Sequence, residues 1–397
     1  MPETIGPFTV GRVHQADCLD AMRKLPDGCV QCCVTSPPYW GLRKYDVPET
    51  VWGGRSDCAH DWIKGIVTDT RGLQVNTSDT LSGPQRADAR GQSRGNICRV
   101  CGAWRGQLGL EPTPALYVEH LVGIFRELRR VLRGDGTLWL NIGDCWHSGD
   151  RGGYRNDSHR WEGSPIQPDS IGSHMESVAP NRLPQDGLKD RDLVGVPWRV
   201  AFALQADGWW LRDEVIWSKT SCMPYPATDR TVRSHEQVFL LSKSSRYFFD
   251  WKAIAAPAKH AGERITLGAK SLSRGQAEGA GVDPSGNGAA DSMVVADLRR
   301  SRSVWTIGPE PNNAQHYAPF PRELARRCIV AGSRVGDVVL DPFAGTGTTV
   351  RVADGLQRKA LGFDLGAGYV AQANERSGAL SADDTRDGQQ LGLLGRE

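Results

Sequence analysis

Two stretches, some three hundred residues apart, carry the side chains best suited to joint chemistry. The first is Ser36-Pro37-Pro38-Tyr39, which follows the short, β-branched and largely apolar run Val30-Gln31-Cys32-Cys33-Val34-Thr35. Such a run reads as a buried strand, and the two prolines forbid its continuation. A hydroxyl, a rigid turn and an aromatic ring are thus delivered at the carboxyl end of a strand, where ligands bind in open α/β sheets. That set suits attack by a weakly nucleophilic exocyclic amine of cytosine or adenine on a methyl donor. The lone pair of such an amine is delocalised into the ring until acceptors on its hydrogens pull it toward tetrahedral geometry. The Ser36 hydroxyl and the Pro37 carbonyl can accept, because each proline restricts the residue before it and fixes the backbone. Tyr39 can stack on a base flipped out of its duplex. The competing interpretation is a structural turn, in which Ser36 caps and Tyr39 packs.

The second stretch is Asp341-Pro342-Phe343-Ala344-Gly345-Thr346-Gly347-Thr348, entered from the apolar run Val338-Val339-Leu340. It reads as strand, glycine turn and helix, with glycines that let a ligand approach the backbone. It lacks the lysine of a phosphate-binding loop, which argues against a nucleoside triphosphate. Asp364 ends the next apolar run about twenty residues later, a spacing suited to a carboxylate on ribose hydroxyls; otherwise it is a solvated strand end. Asp17 follows another short strand, expected over Phe8 to His14, and position alone favours a helix N-cap for it.

A third set is Cys58, His60, Cys98 and Cys101, a C-x-H pair and a C-x2-C pair on either side of an irregular spacer. Three thiols and an imidazole are the ligands of a tetrahedral structural zinc, and a metal would pin the spacer's ends together. The alternative is that the four residues hold no metal. Arg86, Arg90, Arg94, Arg99 and Arg105 make this segment locally basic, as suits phosphate contact or a solvated surface.

The elements that must position these residues follow from hydrophobic period and breakers. Helices are expected over Cys18 to Leu25, Leu116 to Leu132, Val196 to Asp207 and Arg322 to Ala331. Gly134-Asp135-Gly136 should end the second of these, before a buried strand over Thr137 to Ile142 that leads to Asp144. Further strands are expected over Trp210 to Trp217 and Glu236 to Ser242. The stretches Val51 to Leu110, Gly149 to Asp190 and Pro257 to Ser301 show no period, and the chain beyond Tyr369-Val370 reads as a disordered tail.

A chain of 397 residues can bury a large core and carry insertions, and its net charge of +2 neither demands nor excludes nucleic acid. No apolar run approaches membrane-spanning length and the N-terminus lacks a signal pattern, so a cytoplasmic protein is expected. Ten cysteines then argue for buried thiols and a metal, not for a disulfide framework.

Together the two stretches resemble the amino-methylating DNA methyltransferases that use S-adenosylmethionine, in the permuted (beta-group) order where the catalytic motif precedes the cofactor motif. The resemblance makes Ser36, Pro37, Pro38 and Tyr39 the catalytic tetrapeptide and the Asp341 to Thr348 stretch the methionine-binding loop. It also assigns the segment with His316, Phe320 and Pro321 to the donor's methionine end, Asp364 to its ribose and Asp17 to its adenine, making capping the lesser role for Asp17. It implies an α/β Rossmann-like methyltransferase sheet, mostly parallel, with helices on both faces and circularly permuted. The core is then residues 1–52, 111–148, 191–256 and 304–375. A zinc-binding insertion (53–110), a mobile loop (149–190) and a target recognition region (257–303) interrupt it, and the tail is 376–397.

The implied reaction is site-specific methylation of double-stranded DNA on a flipped base. Carbon-5 methylation would place a Pro-Cys pair in the catalytic loop, and none is there. In the resembled family Ser in first place leans toward cytosine N4, and Asp or Asn toward adenine N6; the Ser36 hydroxyl can also donate to the cytosine ring nitrogen as well as accept. A non-catalytic DNA-binding protein and an RNA or protein methyltransferase are the rivals. Target sequence, oligomeric state, a companion restriction endonuclease, and host or phage origin stay open.

Overall fold

The computed structural model describes residues 3–42, 44–63, 96–147, 187–189, 191–222, 227–266, 282–283, 292–310 and 320–377. His316, nearly all of the expected mobile loop, and the tail from residue 378 lie outside them. The chain divides into two compact units: Met1–Ser36 with Glu127–Asn141 and Trp209–Glu397, and Pro37–Arg126 with Ile142–Gly208.

The first unit is built on an eight-stranded sheet. Its strands in chain order are β1 (Arg12–Gln15) and β2 (Val30–Thr35), then, numbered after a ribbon of the second unit (β3, Thr50–Trp52, and β4, Trp104–Gly106), β5 (Leu132–Ile142), β6 (Trp210–Ser218), β7 (His235–Ser242), β8 (Val304–Thr306), β9 (Val338–Asp341) and β10 (Lys359–Asp364). They lie in the order β8-β6-β7-β5-β2-β9-β10-β1. The pairs β5/β2, β2/β9, β9/β10, β10/β1 and β8/β6 are parallel, and β6/β7 is antiparallel. All six residues of β2 are buried, the polar Gln31 and Thr35 included, as suits a largely apolar central parallel strand. Val34, Trp139, Val238, Trp305, Ile329 and Val339 belong to one continuous core on this sheet.

Helix α1 (Cys18–Arg23) starts at Asp17, whose Oδ1 accepts from the amides of Leu19 (2.9 Å) and Asp20 (3.1 Å). The structure therefore shows the capping role, worth about 1 kcal/mol, which the resemblance had made the lesser one. Helix α4 (Arg322–Gly332) packs on β2 and on α5 (Thr348–Gly355), and α6 (Ala367–Ser377) packs on β1 and β10. The chain beyond Val370 thus continues as helix to Ser377, contrary to the expected tail, and packing on β1 and β10 supports it there.

Three further expectations change. The strand expected at Phe8 to His14 is two strands, since Gly11 at φ +79° breaks it. Strand β5 begins at Leu132, directly after helix α2 (Pro114–Val131), instead of after Gly134-Asp135-Gly136. Those glycines serve a bulge: Val30 pairs with Leu132 but Cys32 already pairs with Thr137. The stretch 257–301 contains a three-stranded antiparallel sheet of Arg264–Thr266, Ser292–Val295 and Val282–Asp283.

In the second unit, the ribbon β3 (Thr50–Trp52) and β4 (Trp104–Gly106) pairs Trp52 with Trp104. Helix α3 (Val196–Ala206) begins where Asp144 Oδ1 accepts from the Val196 amide at 2.9 Å. Among the described residues no helix is long and apolar enough to cross a membrane.

Candidate functional site

The carboxyl ends of four adjacent parallel strands carry Ser36 (after β2), Asp341 (β9), Asp364 (β10) and Asp17 (after β1). Register fixes this: Leu340 pairs with Cys33, Asp341 with Gly362, and Asp364 with Gln15. Neighbouring strands lie about 4.8 Å apart, so residues distant in sequence share one sheet edge.

Asp341 is 1% exposed. Its Oδ1 accepts from Thr35 Oγ1 (2.6 Å) and the Phe343 amide (3.0 Å), and its Oδ2 from Thr349 Oγ1 (2.7 Å). Burial pushes its carboxyl up to about 6 although the two threonines and the amide pull it down. Asp341 thus ties β2, β9 and α5 together and shapes the loop after it. Thr35 and Thr349, which the motifs did not single out, are its partners; the signal was a hydroxyl at a buried strand end and another in the first turn of a helix.

The loop turns on Gly345 (φ +51°) and Gly347 (φ +79°), and a Cβ on Gly347 would lie 3.0 Å from that of Ala373. Asp364 holds the loop from the next strand: Oδ2 accepts from the Gly345 amide at 2.9 Å and Oδ1 from the Gly366 amide at 2.7 Å. Burial raises its carboxyl, opposed by those two amides. A carboxylate has about four lone-pair sites, so this half-buried group keeps acceptor capacity for a ligand's hydroxyls. Thr346 is buried, Phe343 and Thr348 are half-buried. Pro342 is buried beside Asp341. Pro321 caps α4, and Phe320 packs against the sheet core. These two are not shown at the glycine loop.

In the second unit Pro37 is buried and Pro38 and Tyr39 are half-buried. The Pro38 carbonyl accepts from Tyr117 Oη at 2.8 Å. Gly143 lies flat against Tyr39: a Cβ there would come within 2.5 Å of the ring, so only glycine allows this seat. Trp40 is buried and its indole donates to the Glu111 carbonyl at 2.9 Å. Glu111 and His120, neither of them singled out from sequence, sit behind this loop.

The four metal-ligand candidates also converge in this unit, with their donor atoms all within 4.8 Å of one another. Cys58 Sγ lies 3.8 Å from Cys98 Sγ, and Cys101 Sγ 3.5 Å from His60 Nδ1. A tetrahedron with ordinary zinc–sulfur and zinc–nitrogen bonds has edges of about 3.8 Å and about 3.5 Å, so the donor set and its spacing fit zinc. The amides of His60 and Val100 each point at a sulfur, at 3.4 Å. Burial pushes the Cys98 thiol up, but the Cys101 and Val100 amides and the His60 ring bring it down to about 6. Gly54 leaves room for the knot, since a Cβ on it would lie 2.7 Å from Cys101 Sγ.

Sheet order, glycine loop and acids at successive strand ends define a Rossmann-like methyltransferase sheet. The model of the DNA methylase family N6_N4_Mtase matches residues 30–375, and the chain belongs to this family. It is 35% identical over 366 residues to the Type II methyltransferase M.SmaI of Serratia marcescens, covering 92% of this chain and 90% of that one. The Type II methyltransferase M.Cfr9I of Citrobacter freundii is 33% identical, covering 94% of this chain and 88% of that one. Among solved structures, PvuII DNA methyltransferase (cytosine-N4-specific) aligns over 97% of this chain and 93% of its own, with 16% identity and a TM-score of 0.49.

Proposed function

We propose that this DNA methyltransferase moves a methyl group from S-adenosylmethionine to the exocyclic N4 amine of a flipped-out cytosine in double-stranded DNA, at a specific site. The observation that carries the reading is the pairing of β2 with β9, tied by the Thr35–Asp341 hydrogen bond, which sets Ser36 beside the strand end that bears the glycine loop. The Type II names of the relatives support site-specific methylation of a restriction-modification kind, with a companion endonuclease outside this chain.

The donor supplies an electrophilic methyl on a sulfonium. The backbone of Phe343 to Thr348, with Asp364 on the ribose, would hold it, and Asp17 and the segment of His316, Phe320 and Pro321 would complete its cradle. Asp341 acts by fixing the loop's shape. On the acceptor side, Ser36 Oγ and the Pro37 carbonyl accept from the amine's hydrogens and draw its lone pair out of the ring, while Tyr39 stacks on the base. Ser36 in first place favours cytosine by the resemblance to the family, and its hydroxyl can meet the cytosine ring nitrogen as a donor as well as accept from the amine.

The order of the motifs, Ser36 to Tyr39 before Asp341 to Thr348, makes the chain a permuted member of its family. Cys58, His60, Cys98 and Cys101 hold one structural zinc. The region 257–303 reads the target sequence, and its small antiparallel sheet supports a built segment there in place of a linker.

Tritium transfer from labelled donor to duplex DNA, RNA and protein tests the substrate class, with DNA the expected acceptor. Mass spectrometry of nucleosides from methylated DNA should show N4-methylcytosine; N6-methyladenine as sole product overturns the choice of base. Deleting residues 262–290 should abolish site specificity while donor binding persists, and unchanged specificity would remove the recognition role from that region.

A further inference from the structure

Behind the acceptor loop lies a buried ionisable pair that the reaction does not use directly. Glu111 is fully buried, and its Oε2 accepts from the Gly109 amide at 2.8 Å. Its Oε1 lies 3.0 Å from Nδ1 of His120, which is 8% exposed. The His120 ring stacks on Trp52 (centroids 5.0 Å apart, planes at 24°) and on Trp104 (5.6 Å, 23°), partners across the β3/β4 ribbon. His120, on α2, is therefore held against the ribbon, and Glu111 links it to the Gly109 amide.

Every residue of the loop from Pro38 to Gly41 meets this assembly. The Glu111 carbonyl takes the Trp40 indole hydrogen, and the Gly109 carbonyl accepts from the Gly41 amide at 2.7 Å. Gly109, at φ +92°, presses so close that a Cβ there would lie 3.0 Å from the Tyr39 carbonyl oxygen and 3.3 Å from Pro38 Cβ. Tyr117, one turn before His120 on α2, holds the Pro38 carbonyl. Further along, the Gln107 side chain clasps the Tyr45 amide (3.0 Å) and the carbonyls of Tyr45 (2.9 Å) and Val47 (2.6 Å).

We propose that Glu111 and His120 are positioning residues for methyl transfer, fixing Gly109 and Trp40 so that Pro37 to Tyr39 offer their acceptor and ring in one geometry. The inference rests on the reading of Ser36 to Tyr39 as the acceptor loop. A buried carboxyl is an expensive way to fill space, and burial raises that of Glu111 despite the opposing His120 contact. What the pair adds over apolar packing is direction: two hydrogen bonds that allow one placement of Gly109 and the histidine ring.

Three variants test it in the 397-residue chain, each assayed for steady-state methyl transfer to unmodified genomic DNA, for donor affinity by calorimetry and for thermal unfolding. Glu111→Gln keeps both contacts, its oxygen accepting from Gly109 and its amide donating to the other tautomer of His120. It should stay within about threefold of wild-type kcat, a hydrogen-bond adjustment of under 1 kcal/mol. Glu111→Leu keeps volume but loses both contacts, and should lower kcat on the order of 10²-fold with donor affinity unchanged. Tyr117→Phe removes one hydroxyl and carries the test if the leucine variant does not fold; about a fivefold drop in kcat, again with donor affinity unchanged, is expected.

Folded Leu and Phe variants with wild-type kcat overturn the proposal, as does a Gln variant no better than Leu. Ser36→Ala separates the two readings. If it is inactive while the Glu111 and Tyr117 variants are normal, only the positioning role fails; if it too is fully active, the acceptor-loop reading fails and takes the positioning role with it.

Discussion

At the end of β9, Asp341 gathers two threonine hydroxyls and an amide, and the loop it shapes leaves a regular parallel sheet. In the 37–126 segment, Glu111 gathers an amide and a histidine, and the loop it shapes is held by a short ribbon, a helix and side-chain clasps. Both regions shape working backbone with a buried carboxyl. The first inherits its precision from strand register, which neighbouring pairs enforce cooperatively; the second must assemble its own, from stacked rings and a cysteine–histidine knot. Damage should therefore spread differently. On the proposed donor side it should weaken binding of the donor, and on the proposed acceptor side it should slow turnover.

The largest effect is expected at the knot. A structural zinc contributes about 10–16 kcal/mol of apparent binding free energy in small domains. Cys98→Ser with Cys101→Ser should reduce the metal content from one per chain to none, and expose residues 45–63 and 96–110 to limited proteolysis while donor binding persists. Wild-type protein that carries no metal after purification without chelators would break the comparison at its acceptor end.

The next effect lies at Asp341. Its carboxyl moves from 3.8 to about 6 on folding, so between those values the folded chain keeps a proton that the unfolded chain has released. The sign follows: this group's contribution is full below about pH 4, falls as pH rises, and is lost above about pH 6, a change on the order of 3 kcal/mol. Asp341→Asn removes that dependence. Relative to wild type, its unfolding free energy in urea should improve by about that amount between pH 4 and pH 7. A constant difference across that range would mean that Asp341 does not bury its charge.

Much of the sheet edge was legible in the sequence because parallel strands bury both faces and end abruptly at Pro, Gly or Asp. Val30–Thr35 and the run to Asp341 announce themselves in this way, and the convergence of Cys58, His60, Cys98 and Cys101 was legible from their C-x-H and C-x2-C spacing. Glu111 and His120 were not legible. One stands in an irregular Leu-Gly-Leu-Glu-Pro stretch, the other on an apolar helix face, and their meaning lies in contacts between segments. Asp17 shows the opposite limit: its motif suggested a ligand contact, while its local position already stated the cap that the structure shows. The antiparallel sheet at 264–295 escaped because its short strands lack alternation and depend on pairing for their identity.

Two matched substitutions sharpen the comparison most directly. Ser36→Ala removes an acceptor from the amine and should cost about 10²-fold in kcat, with donor affinity untouched. Asp364→Asn should do the reverse, and more mildly. The amide has a single acceptor oxygen to share between the Gly345 and Gly366 backbone amides and the ribose, so one charge-assisted hydrogen bond to the donor, of about 1.5 kcal/mol, is lost. That corresponds to about tenfold weaker donor binding, visible by calorimetry and as a raised donor KM, while kcat at saturating donor stays near wild type. A fall in kcat with unchanged donor affinity would detach Asp364 from the donor and leave it a brace for Gly345 and Gly366, and the division of labour between the two regions would then rest on the glycine loop alone.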